Sequence, residues 1–114
     1  MKRLIKHYIG GINIMDIDKI QALCDKITKE SQARLTAQNL GCESNLDNAV
    51  CHYKIGPKYT KIDDRTSGRY MIENATGEIY GIKAYGVINR GHFYGNLDTI
   101  NSYNWGYYKA VKIG

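Results

Sequence analysis

Residues 58–85 read KYTKIDDRTSGRYMIENATGEIYGIKAY, and this stretch decides the fold. Lys58-Tyr59-Thr60-Lys61-Ile62 alternates with period two, the signature of a half-buried strand. Asp63-Asp64-Arg65-Thr66-Ser67-Gly68 is turn chemistry, and Arg69-Tyr70-Met71-Ile72-Glu73 resumes the strand pattern. Asn74-Ala75-Thr76-Gly77 turns the chain again into Glu78-Ile79-Tyr80-Gly81-Ile82-Lys83-Ala84-Tyr85. The stretch therefore predicts three antiparallel strands in a meander.

Upstream, the period changes to that of a helix. Ile17, Ile20, Leu23, Cys24 and Ile27 recur at three- and four-residue steps over Asp16–Leu40, with Lys19, Gln21, Asp25, Lys26 and Lys29 largely on other faces. Asp16 or Asp18 suits the cap, and Gly41 is placed as a left-handed stop. Ser31 occupies the next core step, which predicts a bend or break there. Ser44-Asn45-Leu46-Asp47 has capping-box spacing and predicts a short second helix ending near His52. Residues 4–14 read as an edge strand, or as an extended lead-in bent at Gly10-Gly11. Downstream, residues 86–114 mix glycines with aromatic rings and read as an irregular loop followed by one strand near Tyr107–Ile113. The expected fold is α+β: a long N-terminal helix and a short second helix packed on a small antiparallel sheet of three to five strands. It forms a single domain over residues 1–114, helical over 15–52 and β-rich over 53–114.

A chain of 114 residues supports one hydrophobic core. The formal charge is +5, and from His52 onward nine Lys/Arg face five Asp/Glu, an excess that favours anionic partners. Cys24, Cys42 and Cys51 have no C-x-x-C spacing, which argues against a disulfide framework or zinc ribbon and implies a reducing compartment. The N-terminal apolar residues are broken by Lys6 and His7, unlike a signal peptide, and no run approaches the length of a membrane span. A bacterial cytoplasmic location, with no membrane partner, is the expectation.

Nine of the ten tyrosines, the Trp and the Phe fall between Tyr53 and Tyr108, interleaved with cations. Rings stack on bases and cations neutralise phosphates, so this mixture points to a binding surface. The candidate contacts are Lys58, Tyr59, Lys61, Arg69, Tyr80, Lys83, Tyr85, Arg90, His92, Phe93, Tyr94 and Trp105. The competing reading of each Tyr is a strand former whose ring packs while its hydroxyl stays wet. Arg90–Gly95 matches the RNP1 strand of RNA-recognition motifs poorly, and no phosphate-binding loop is present. Cys42, Cys51, His52 and His92 have the wrong intervals for a common zinc module, and Cys51 beside His52 is not a catalytic dyad. Glu73 and Glu78 flank a turn as surface carboxylates. No enzyme activity, metal or cofactor is expected.

The run Tyr59–Ile62 followed by Gly68–Gly86 (GRYMIENATGEIYGIKAYG), with Leu97-Asp98 beyond it, resembles a hairpin pattern in small uncharacterised proteins of bacteriophages and prophages. The resemblance covers about half of the chain. It implies a viral accessory protein made in a bacterial cell, and it brings no catalytic residues. The expected partner is single-stranded DNA or RNA. The alternative is a host defence protein or ribonucleoprotein complex, such as a CRISPR effector, inhibited through protein–protein contacts.

Overall fold

The computed structural model describes residues 8–9 and 12–113, with side chains from Asp16 onward. The fold is α+β, one long helix and one short helix on an antiparallel five-stranded sheet. Strands β1 (Tyr8–Ile9) and β2 (Ile12–Asn13) pair with each other and lead directly into helix α1 (Ile14–Ala37). This ladder is separate from the main sheet, so the segment is not its edge strand. Residues 4–7 and the Gly10-Gly11 bend lie outside the described residues.

Helix α1 buries the stripe read from the sequence. Ile20, Leu23, Cys24 and Ile27 are fully buried, and Ile17 packs against them. The helix does not break at Ser31. That residue is buried inside an unbroken helix, its hydroxyl without a hydrogen-bond partner. Pairs one turn apart support the exposed side: Gln21 donates to Asp25 at 2.8 Å, Lys26 meets Glu30 at 2.7 Å and Arg34 donates to Gln38 at 3.1 Å. The stop is Asn39 rather than Gly41. Asn39 takes φ 60°, its N–H donates to the Thr36 carbonyl at 3.1 Å, and the Leu40 N–H donates to the Leu35 carbonyl at 2.8 Å. These are the two bonds of a Schellman motif.

Helix α2 spans Glu43–Asn48, starting from Cys42, which makes no side-chain cap bond. The expected Ser44 cap is thus displaced, and Asn45 Nδ2 donates instead to the Leu40 carbonyl at 2.9 Å. The helix stops before His52 because Cys51 enters the core and its N–H donates to Thr28 Oγ1 at 2.8 Å. Strand β3 (His52–Ile55) follows, with Tyr53 and Ile55 half-buried and His52 and Lys54 exposed.

The sheet continues as β4 (Tyr59–Asp63), β5 (Gly68–Glu73), β6 (Glu78–Ala84) and β7 (Val87–Asn96), every neighbour consecutive in the chain. Strand β7 corrects the irregular loop expected after residue 86. Its pairing with β6 slips between Tyr80 and Gly81, whose partners are Phe93 and Asn89, leaving Arg90, Gly91 and His92 as a bulge that hides the alternation. After a 3₁₀ turn (Ile100–Ser102), β8 (Tyr103–Asn104) pairs with β9 (Val111–Lys112), so the last strand is shorter than expected.

One face of the sheet is core. Tyr53, Ile62 and Tyr70 are cross-strand neighbours, as are Thr60, Ile72 and Ile79. Aliphatic residues of α1 and the rings of the C-terminal segment pack against this face. Trp105 is fully buried, its ring centroid 5.2 Å from Tyr70 in an edge-on contact and 5.7 Å from Tyr103. Its backbone N–H donates to Glu30 Oε1 at 2.7 Å and its indole N–H to the Ile100 carbonyl at 2.8 Å. Gly106 makes this approach feasible, because a Cβ there would stand 2.8 Å from the Glu30 carbonyl oxygen.

Leu23→Ala is expected to cost about 2–5 kcal/mol and Trp105→Ala about 3–5 kcal/mol, because each opens a cavity in the core. Lys26→Ala removes a helix-surface ion pair and is expected to cost about 0.5 kcal/mol or less. Urea unfolding measures all three, and equal midpoints for the Leu23 and Lys26 variants would overturn the packing assignment.

Candidate functional site

The sheet face opposite α1 carries the cations and rings in an ordered row. Lys54, Lys61, Met71, Tyr80 and Phe93 are successive cross-strand partners from β3 to β7. Met71 and Tyr80 are buried within the row, whereas Phe93 is 49% exposed. Beside it Tyr59 faces Glu73 across β4 and β5. The β7 bulge aims Arg90 over these neighbours: its Nη2 donates to Glu73 Oε2 at 2.7 Å and to Tyr59 Oη at 2.9 Å. The guanidinium carbon lies 5.1 Å from the Tyr80 ring centroid and 5.9 Å from that of Tyr59.

The electrostatics divide this face. Hydrogen bonds from Arg90 and Thr76 hold the Glu73 carboxyl below its usual range, while those to Glu73 and Tyr59 push Arg90 further up. Burial, then the charge of Glu78, raises the Tyr80 phenol. Arg90 is thus paired with a carboxylate and rests against two rings. The lysines are different. Lys58 lies 5.5 Å from the Tyr59 centroid and Lys61 4.7 Å from that of Tyr85, and neither they nor Lys54 form an ion pair among the described residues. Tyr85 donates to Asp63 Oδ2 at 3.2 Å, and the charge of Asp63 raises its phenol.

A second feature is a groove of about 680 Å³ where β5, β6 and β7 meet the C-terminal segment. Arg69, Lys83, Tyr85, His92 and Tyr94 line it, together with Tyr108 and Lys109. Asp64 and Arg69 build one wall. Asp64 Oδ1 accepts from the Thr66 and Ser67 N–H groups, each at 2.8 Å, and its Oδ2 lies 3.3 Å from Arg69 Nη1. Arg69 Nη2 in turn donates to the Tyr107 carbonyl at 3.1 Å, tying the β4–β5 turn to the C-terminal segment.

The sequence candidates therefore separate into three places. Lys58, Tyr59, Lys61, Tyr80, Arg90 and Phe93 share the outer face; Arg69, Lys83, Tyr85, His92 and Tyr94 line the groove; Trp105 belongs to neither. Trp105 is corrected to a core residue, since its ring fills the space between α1 and the sheet. Tyr94 is half-buried and joins the same ring cluster, edge-on to Tyr70 at 5.5 Å. Lys54 and Met71 were missed, and cross-strand register identifies them. Tyr108 and Lys109, part of the same mixture of rings and cations, precede β9 and do not lie in the strand expected near Tyr107–Ile113. Among the described residues no three His, Cys, Asp or Glu side chains gather as a metal site requires, and no helix is long and apolar enough to cross a membrane.

Burial alone would raise the Asp64 carboxyl, but its Thr66 and Ser67 donors and Arg69 outweigh this and hold it below the ordinary 3.8. Its contribution to stability is consequently present above the unfolded value and lost as pH falls through the lowered native one. Urea midpoints followed from about pH 5 to pH 2 are expected to fall for the wild type, and to fall less steeply for Asp64→Asn. Identical pH profiles would remove Asp64 from this role. No protein-family model, curated protein or solved structure matches the chain.

Proposed function

We propose that this protein is a non-enzymatic, phage-type accessory protein that binds single-stranded nucleic acid across the sheet face opposite α1. The observation that carries the reading is the row Lys54–Lys61–Met71–Tyr80–Phe93, flanked by Lys58, Tyr59 and Arg90. Bases stack on the accessible faces of Phe93 and Tyr59, and sequence plays little part because every base offers a π-face. Lys54, Lys58 and Lys61, free of ion pairs among the described residues, neutralise the phosphates. Arg90 serves as a fixed shelf that orients Tyr59 and Tyr80.

A second reading, inhibition of a host defence protein or ribonucleoprotein, draws support from the state of Arg90. An Arg held by a carboxylate beside half-exposed Phe93, both packed on Tyr80, is the kind of anchor that concentrates energy in protein interfaces. The two readings differ in what Phe93 does.

Binding of a mixed-sequence single strand is expected to weaken steeply with salt, and Lys58→Ala or Lys61→Ala to lower the salt slope by about one unit each. Phe93→Ala is expected to remove about 1–3 kcal/mol of strand affinity. Fluorescence anisotropy with a labelled oligonucleotide measures both, after circular dichroism shows that the variants are folded. Absence of salt-dependent binding at micromolar protein would sink the nucleic-acid reading. If Phe93→Ala abolishes suppression of a host defence in a plaque assay and leaves strand binding unchanged, the second reading takes its place.

A further inference from the structure

We propose that the groove between β5, β6, β7 and the Tyr108–Lys109 segment is a separate binding site for a nucleoside phosphate, its ring held against Tyr94 and Tyr108 and its phosphate by Lys83 and Lys109. The site is distinct from the outer face. Tyr70 and Tyr94 belong to the ring cluster on the core side, whereas Tyr80 and Phe93 belong to the opposite side.

Size is the first argument. A volume of about 680 Å³ falls within the range of pockets that enclose one small ligand. At Gly81 the strand is packed closely by its neighbours, since a Cβ there would stand 3.0 Å from the His92 Cβ and 3.4 Å from the Tyr94 ring, which fixes both side chains along the groove.

Charge is the second. Lys83 and Lys109 line the groove without an ion pair among the described residues, and no carboxylate lines it. The nearby Asp64 is committed to Arg69 and to the turn that it caps. The carboxylate of Asp63 stands at the edge, where it accepts from Tyr85, so a dianionic phosphate meets the two lysines away from it.

One side chain has a property that the fold alone does not explain. Tyr108 is 86% exposed, yet it lies in a segment that Trp105 and the Arg69–Tyr107 bond hold in place. A ring-bearing ligand gives Tyr108 a surface to stack on. A bare phosphate does not.

The test titrates the full chain with each of the four ribonucleoside 5′-monophosphates, the matching nucleosides and inorganic phosphate. Calorimetry is read alongside the fluorescence of Trp105, which touches Tyr70. At least one monophosphate is expected to saturate the protein. Its affinity should fall by about tenfold or more in Lys83→Ala and Lys109→Ala, the size of a lost charge-assisted bond. Tyr108→Ala, at a position too exposed to affect folding, should weaken the monophosphate and leave inorganic phosphate unchanged. Lys58→Ala and Phe93→Ala on the outer face should leave monophosphate binding intact, which separates this site from the strand-binding surface. The proposal is overturned if no monophosphate binds at millimolar concentration, if inorganic phosphate binds equally well, or if the Lys83, Lys109 and Tyr108 variants bind like the wild type. Loss of monophosphate binding in the outer-face variants, or binding of oligonucleotides alone, would likewise overturn it.

Discussion

The seating of Trp105 between α1 and the sheet is the contact on which the remaining architecture depends. A sheet this small has a core face wider than one helix can cover. Aliphatic residues of α1 pack against Tyr53, Ile62, Ile72 and Ile79, and the rest is closed by Tyr70, Tyr94, Tyr103 and Trp105. These rings meet edge-on or tilted, the geometry that aromatic quadrupoles prefer. Glu30 and Ile100 receive the two N–H groups of Trp105, so its large apolar body is buried without an orphaned donor. Position follows from this. Tyr107, Tyr108 and Lys109 come directly after the anchored residues, and their place beside β5 and β6 is set by the Trp105 contact and by Arg69.

The elements legible in the sequence were those whose pattern is local. Five apolar residues at helical spacing identified α1 and its buried face, and the turns at 63–68 and 74–77 identified β4, β5 and β6. The parts that escaped depend on contacts distant in sequence. Strand β3 is four residues long and follows the apolar pair Val50-Cys51, so its alternation merged with the end of α2. In β7 the bulge at Arg90–His92 interrupts the period of two, which made a strand look like a loop. Asn39 displaced Gly41 as the stop because a short polar side chain tolerates the left-handed conformation.

The candidate surface was legible as a composition and not as an arrangement. Interleaved rings and cations marked the candidate residues, but alternation along a single strand does not show which cross-strand partners meet. Register assembles Lys54, Lys61, Met71, Tyr80 and Phe93 from five separate strands. Trp105 illustrates the opposite difficulty. A lone large ring among Asn, Gly and Tyr residues has no period that assigns it to the inside, and the contacts that bury it include partners as distant in sequence as Glu30, 75 residues away. Charge counting was similarly blind to commitment, since Arg90 and Lys61 count equally in a net charge although only Arg90 is neutralised by a carboxylate.

Tyr85 stands between the two surfaces. Lys61 of the outer face lies 4.7 Å from its centroid, and the same ring lines the groove. Were both proposed surfaces to take ligands, one that moved this ring on one side would change the free energy of binding on the other, and thermodynamic linkage would make that change equal in both directions. A single phenol would then join two surfaces that face apart, with no subunit rotation or hinge needed to carry the coupling.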